Sequence, residues 1–474
     1  MPKRAILAGL SLIALTACTT VGPNFKQPAA PATAGYAMTG DPAASPLASL
    51  SSSTAQKWWT AYNSDKLNSL VEQALTGNPT LDQADAALER VAELEKAQRG
   101  DSGPTANLSG GASRQRINTA GFGISGFPSP TINVFSIGTS LRYNLDIFGG
   151  ERRKDEAASA RTEAQRQRTD AAYLNLTGAV VSRAVELAAL RAQLATLDQI
   201  IHNDGETIAM IRRGIEAGGS PASAVNPAEA QQAEDEAGRP SLQRRISTAR
   251  HALALLVGKA PSDWAAPDID LSELNLPNSI PVSLPSELVR KRPDILAAEA
   301  DLHAATAAIG IAEAARYPSL SLDASFVLTA LHPEDVFKYD SSGWSAGPSI
   351  TAPLFNGGAL KARKKAAEAA AKEADATYRQ TVLSAFAQVS DLLSALSTDQ
   401  DLLTAQTRAR DLAAENSRLA SLAYENGAGS LISVIDAQRQ AQRSALASIE
   451  AQALLRADIA ALHVATASGW GGTK

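Results

Sequence analysis

The most legible chemistry in this 474-residue chain belongs to its single cysteine. Cys18 closes the stretch MPKRAILAGLSLIALTAC, where Lys3 and Arg4 precede an apolar run from Ala5 to Leu15. A basic start, a short apolar run and small residues before the cut mark a secretory signal, here residues 1–17. Leu15-Thr16-Ala17-Cys18 also has the form of a lipobox. Cleavage before Cys18 leaves its thiol to carry diacylglycerol, with palmitate completing the anchor. The alternative is an ordinary signal peptide with an incidental cysteine. Thr19 follows where an aspartate would retain a bacterial lipoprotein in the inner membrane. A lone cysteine also rules out a disulfide within the chain.

Other reactive side chains form no constellation. His202, His251, His303, His332 and His463 are scattered, with no metal-ligand spacing. No nucleophile stands with a plausible base. GFGISG, 121–126, has the glycines of a nucleotide loop, but no helix follows it. The net charge of −5 and pI near 5.7 provide no basic field for nucleic acid. Neither an enzyme nor a metal or other cofactor is expected. One carboxylate draws notice, in YENGAGSLISVIDAQR, 424–439. There Gly427, Ala428 and Gly429 interrupt a helical pattern, and the apolar run that resumes carries Asp436. By itself Asp436 is a solvated helix carboxylate or a group with a specific task.

These residues sit on long helices. The chain is 45% hydrophobic but only 5% aromatic, and much of the apolar content is alanine, which favours closely packed helices. Residues 18–60, rich in Pro, Ala, Ser and Thr, read as an extended, poorly ordered leader ending at Trp58-Trp59, which docks on the folded body. A helix is expected from 66 to 99. Phe135, Ile137, Leu141, Tyr143 and Leu145 then alternate with polar residues, the period of a strand, and 104–116 is its weaker partner. The proline-free stretch 149–214 predicts one helix on the order of 100 Å long. EAGGSP breaks it, and a second helix runs to 258.

The order then recurs. After a proline-rich connector, 261–284, come a helix from 286 to 316, strands around 318–330 and 343–355, a helix over 357–425, the break ENGAGS and a last helix to 467. Residues 61–260 and 285–468 are thus two helix–hairpin–helix repeats, with a tail at 469–474. YNLDIFGGERRK parallels ITAPLFNGGALKARK, and EAGGSPASAVNPAEAQ parallels ENGAGSLISVIDAQRQ, pairing Asn226 with Asp436. Beyond the signal no apolar run of about 20 residues is seen, so no membrane-spanning helix is expected. Four two-faced strands are too few for a barrel, which needs about eight. If they span a membrane, several chains must share the barrel, because lipid tolerates no open sheet edge. Two surface hairpins on a soluble helical protein are the other possibility.

The organisation and several motifs resemble the TolC-like outer-membrane factor family, in its efflux-lipoprotein branch. CTTVGPNFKQP at 18–28 looks like the start of such a mature lipoprotein. RKRPDILAAEADLHAATAAIGIAEAARYPSLSL, 290–322, is similar to the branch's most specific block, with Arg292-Pro293-Asp294-Ile295, Glu299, Leu302, Ile309-Gly310 and Pro318 in place. The resemblance implies an α+β membrane protein and a homotrimer. Its three chains would share a 12-stranded β-barrel in outer-membrane lipid, continued by a periplasmic α-barrel. A periplasmic membrane-fusion adaptor and an inner-membrane pump, usually proton-driven, would be its partners, and passage of small molecules its function. Asp436 matches an aspartate forming a negative ring at the periplasmic constriction. Ile432 matches an apolar ring, Tyr424 a closed-state hydrogen-bonding tyrosine, and Arg439 an arginine near the aspartate. For these four the plain alternatives are a packed isoleucine, a packed tyrosine and an Asp436–Arg439 ion pair within the helix. The turns with Gly218, Gly219, Ser220 and with Gly427, Gly429, Ser430 are expected to dock the adaptor. Two departures stand out: Gly429 replaces a gate arginine of some members, and Ala224 an aspartate partner. A duct for a type I protein exporter and a periplasmic coiled-coil adaptor lipoprotein are the competing functions.

Overall fold

The computed structural model describes residues 20–30, 33, 35–41, 45–50, 57–118, 121, 123, 128–218, 221–277 and 279–467. The signal peptide, Cys18, Gly219, Ser220 and the tail at 469–474 lie outside the described residues. The strands are β1 (Ala48–Leu50), β2 (Thr105–Arg116), β3 (Thr131–Leu145), β4 (Ile280–Val282), β5 (Ser319–Ala330) and β6 (Ser342–Thr351). The α-helices are α1 (Asp65–Gly77), α2 (Pro79–Asp101), α3 (Gly150–Glu216), α4 (Asn226–Leu256), α5 (Pro285–Lys291), α6 (Pro293–Ala314), α7 (Ala359–Glu425) and α8 (Leu431–Thr466). α3 and α7 are each 67 residues long.

Two expected helices are in fact broken, both for the same reason. The residue before a proline is pushed out of the helical region by the ring. Asn78 (ψ 117°) therefore separates α1 from α2, and Arg292 (ψ 119°) separates α5 from α6. Asn78 uses its side chain to close the gap, accepting from Thr80 N and donating to Leu256 O. Pro240, by contrast, lies inside α4 without ending it. α6 also corrects an expectation. It is long and apolar enough to cross a membrane by length and composition. Its Ile295, Ala298, Leu302 and Ala307 are instead buried within the protein.

The chain forms two compact units, each assembled from three separate stretches. The first comprises 1–28, 87–166 and 297–379. Its centre is an antiparallel sheet in the order β2-β3-β5-β6, so β2 and β6 are open edges. Register sets its two faces: Arg142 lies opposite Thr105 on one side and Asp323 on the other, and Asp323 lies opposite Gly347. That face carries Ser, Thr and Asn, and the other carries Leu141, Tyr143, Leu322, Phe326, Trp344 and Ile350. Gly138 lets β3 approach β5, since a Cβ there would come within 2.7 Å of Val327. At the β3–α3 junction Asp146 accepts from the N–H groups of Glu151 and Arg152. Burial opposes ionisation of Asp146, but those bonds and the Arg152 guanidinium hold it below the usual carboxylate range.

The leader, expected to be poorly ordered, is extended but tied down where described. Buried Arg153 donates to Val21 O, Gly22 O and Asn24 Oδ1 and pairs with Glu156. Phe25 stacks on His303, which in turn meets Glu156 at 2.9 Å. Gly22 lies so close to Gly310 that a Cβ would stand 2.5 Å from its Cα. The Ile309-Gly310 element is thus a seat for the leader.

The second unit comprises 29–86, 167–296 and 380–474. Trp58 and Trp59 are 2% exposed, as the docking expectation required. Burial of such rings contributes roughly 2–3 kcal/mol each. Trp58 donates to Thr177 and stacks on His463, and Tyr62 donates to Arg456 O. The parallel pair β1–β4 joins leader to connector. Arg292 binds Asp294, Gln388 and Ala465 O, so the RPDI block ties three helices together.

Candidate functional site

The two breaks after α3 and α7 lie in the second unit and share one apolar seat. Ile208 and Ile211 of α3, Ala228 of α4 and Ile435 of α8 form its buried centre. Ile215, Ala224, Val225 and Leu431 pack around it. Ile432 points the other way and is 72% exposed. Asp436, one turn later on the same face, is exposed as well, and so is Gln440. An exposed isoleucine beside an exposed carboxylate, on a helix whose opposite face is packed, forms a stripe available to a solute or another chain.

Local chemistry makes the second turn. α7 ends with Gly427 in the left-handed region (φ 72°), with Ala428 N bonded to Ala423 O and Gly427 N to Tyr424 O. That is the Schellman pattern, in which glycine avoids the strain a Cβ would bring. Gly429 has a different reason. A Cβ there would stand 3.0 Å from Tyr424 N and 3.2 Å from Ala423 C, so any side chain at this position requires its neighbours to give by a few tenths of an ångström. Ser430 then caps α8, accepting from Ser433 N at 3.1 Å. In the first turn Gly218 likewise has φ 76°, but no side chain caps α4 at Val225.

The expected polar contacts are only partly assembled within one chain. Arg439 donates to Gln231 Oε1 of α4, not to Asp436, so the intrahelical ion pair does not form. Among the described residues nothing bonds to the Asp436 carboxylate or the half-buried Tyr424 hydroxyl. Asn226 begins α4, whereas Asp436 is the sixth residue of α8 counted from Leu431. The aligned pair therefore occupies different helical positions, because a short 3-10 turn, Ala222–Val225, intervenes in the first half.

Sequence reasoning missed two carboxyl pairs. Asp204 of α3 faces Asp235 of α4, and Asp399 of α7 faces Asp458 of α8. Asp204 and Asp399 are 5% and 6% exposed. Burial first, then the adjacent carboxylate, pushes each up to about 7. With both members ionised, Oδ2 of Asp204 and of Asp399 has no donor, whereas a shared proton joins the two helices. Ordinary spacing gave no signal, since the partners lie 31 and 59 residues apart (235 − 204 and 458 − 399).

Comparison with known proteins decides the family. A model of the outer membrane efflux protein family matches residues 70–259 and 284–468. The chain belongs to that family. It is an outer-membrane efflux channel, in a class of proteins that are channels rather than enzymes. Outer membrane protein OprJ of Pseudomonas aeruginosa is 30% identical over 478 residues, covering 99% of this chain and 97% of that one. Nodulation protein T of Rhizobium leguminosarum bv. viciae is 29% identical over 427 residues, covering 88% and 85%. The solved outer-membrane channel OprN superposes with a TM-score of 0.87 at 28% identity, covering 95% of this chain and 100% of that one. The Neisseria gonorrhoeae MtrE outer membrane channel, solved in its open state, gives 0.83 at 26% identity, covering 95% and 98%.

Proposed function

We propose that this efflux channel is the exit duct of a tripartite efflux system for small molecules. Three copies join their four-stranded sheets into a 12-stranded barrel, with the apolar faces toward outer-membrane lipid and the polar faces toward a water-filled lumen. The helices of the second unit form the wall of a periplasmic α-barrel. A membrane-fusion adaptor docks on the turns at Gly218–Ser220 and at Gly427, Gly429 and Ser430. A proton-driven inner-membrane pump supplies the energy, and Cys18 carries the lipid anchor. The observation that supports this reading is the open-edged, two-faced sheet, whose edge strands β2 and β6 are left for further copies to pair.

At the periplasmic end, Ile432 and Asp436 from each chain face the duct. The exposed stripe on α8 supports that placement. Three carboxylates around a narrow axis draw cations and repel anions. Arg439, held by Gln231, and Tyr424 at the turn border the gate. The test is reconstitution of the full chain in a planar bilayer. Cation-preferring pores are expected, and Asp436→Ala should lower the cation-to-anion permeability ratio several-fold. Pores whose ratio is unchanged would remove Asp436 from the constriction, and no pores at all would sink the duct.

A further inference from the structure

The polar face of the sheet holds one feature that the proposed gate does not use. Read by register, that face takes the odd-numbered residues of β2, β5 and β6 and the even-numbered residues of β3. Among the described residues of these strands, its charged side chains are Arg142 and Asp323. They stand directly opposite each other on β3 and β5, with Arg142 Nε 2.7 Å from Asp323 Oδ1. Ser321 Oγ donates to the second oxygen, Oδ2, at 2.6 Å. Serine, threonine, asparagine and glycine surround them. A recess of about 430 Å³ lies over the pair, lined also by Thr105, Asn107, Ser140 and Ser345.

Both side chains are open to water, 68% and 36% exposed, so the pair contributes little to stability. Its larger effect is on the field. A single charge on the wall of a narrow aqueous passage attracts one sign of ion and excludes the other, while two opposite charges at bonding distance cancel within a few ångströms. Gly347, opposite Asp323 on β6, adds neither charge nor bulk.

We propose that Arg142 and Asp323 form a charge-balanced collar that determines the ion preference of the sheet-lined part of the duct. Balance at this level lets cationic and anionic solutes pass equally, leaving discrimination to Asp436. The proposal rests on the duct reading, because it places the polar face on a lumen. Either single neutralisation then leaves three like charges per trimer at one level.

The experiment measures the potassium-to-chloride permeability ratio of the full-length protein in planar bilayers under a salt gradient. It is run with the native gate and again in the Asp436→Ala background, where the periplasmic ring no longer dominates. Asp323→Asn should move the ratio several-fold toward chloride, and Arg142→Gln several-fold toward potassium. The exchanged pair Arg142→Asp/Asp323→Arg should return it to within about twofold of its parent and shows that the strands tolerate change here. If neither single variant moves the ratio, or both move it the same way, the collar is wrong even though the duct stands. If the parent protein forms no pores, the duct reading fails and takes the collar with it.

Discussion

The two turns that follow the 67-residue helices reverse the chain onto the same apolar seat, yet they are built differently. The second is tightly specified: a Schellman ending at Gly427, a close approach at Gly429 that leaves little room for a Cβ, and a serine cap at Ser430. The first shares the left-handed glycine at Gly218 but enters α4 through a 3-10 turn without a side-chain cap. The carboxyl pairs reverse the contrast, since each half has one, bridging its long helix to its return helix. The helix walls are therefore matched while the turns are not. In the proposed duct the gate is asymmetric for that reason, with Asp436 in one half and Asn226 at a different helical position in the other.

The largest expected effect tests the matched walls. Folded Asp204 and Asp399, pushed up from 3.8 to about 7, hold protons that the unfolded chain has released. The folded state binds more protons over that window, so stability falls as pH rises from about 4 to about 7 and levels off above it. The loss is at most on the order of 4 kcal/mol for each pair. Asp204→Asn and Asp399→Asn replace the shared proton with a permanent amide donor. Each should raise the melting temperature at pH 8 and remove roughly half of its decline between pH 5 and pH 8. Unequal effects would mean that the walls are not matched, and unchanged profiles would mean that the pairs do not share protons.

Smaller effects test the contrast between turns. Gly218→Ala and Gly427→Ala should each cost about 1 kcal/mol, since both positions are left-handed with open space around a Cβ. Gly429→Ala should cost about 1–2 kcal/mol from crowding against Ala423 and Tyr424. Amide hydrogen exchange at Ala428 and Gly429 reads both second-turn variants, and exchange at Ala217 and Gly218 reads the first. Ser430→Ala should loosen the start of α8 by about 1 kcal/mol, seen as faster exchange at Ser433 N. The start of α4 has no equivalent hydroxyl to lose, since Val225 stands at its cap position. If Ser430→Ala is silent, the second turn is no better specified than the first.

Much of this was legible because it is local. Period-two alternation gave the four strands of the sheet to within a few residues, and glycine clusters gave both turns. The breaks at Asn78 and Arg292 are equally local, each set by the proline that follows, although the apolar periodicity runs on across them. The order attributed to the leader was not local. It depends on Arg153, His303 and Gly310, which are brought together from two distant stretches.

By itself the sequence determined most of the elements, their order and the stripe formed by Ile432 and Asp436, because each rests on neighbours within a turn or a strand. Only the tertiary structure decided which charges meet. It drew Arg439 to Gln231 instead of Asp436, set Asp204 against Asp235, and placed Arg142 across from Asp323. A side chain's partner depends on strand register and helix rotation, and these are fixed by packing over the whole unit rather than by spacing along the chain.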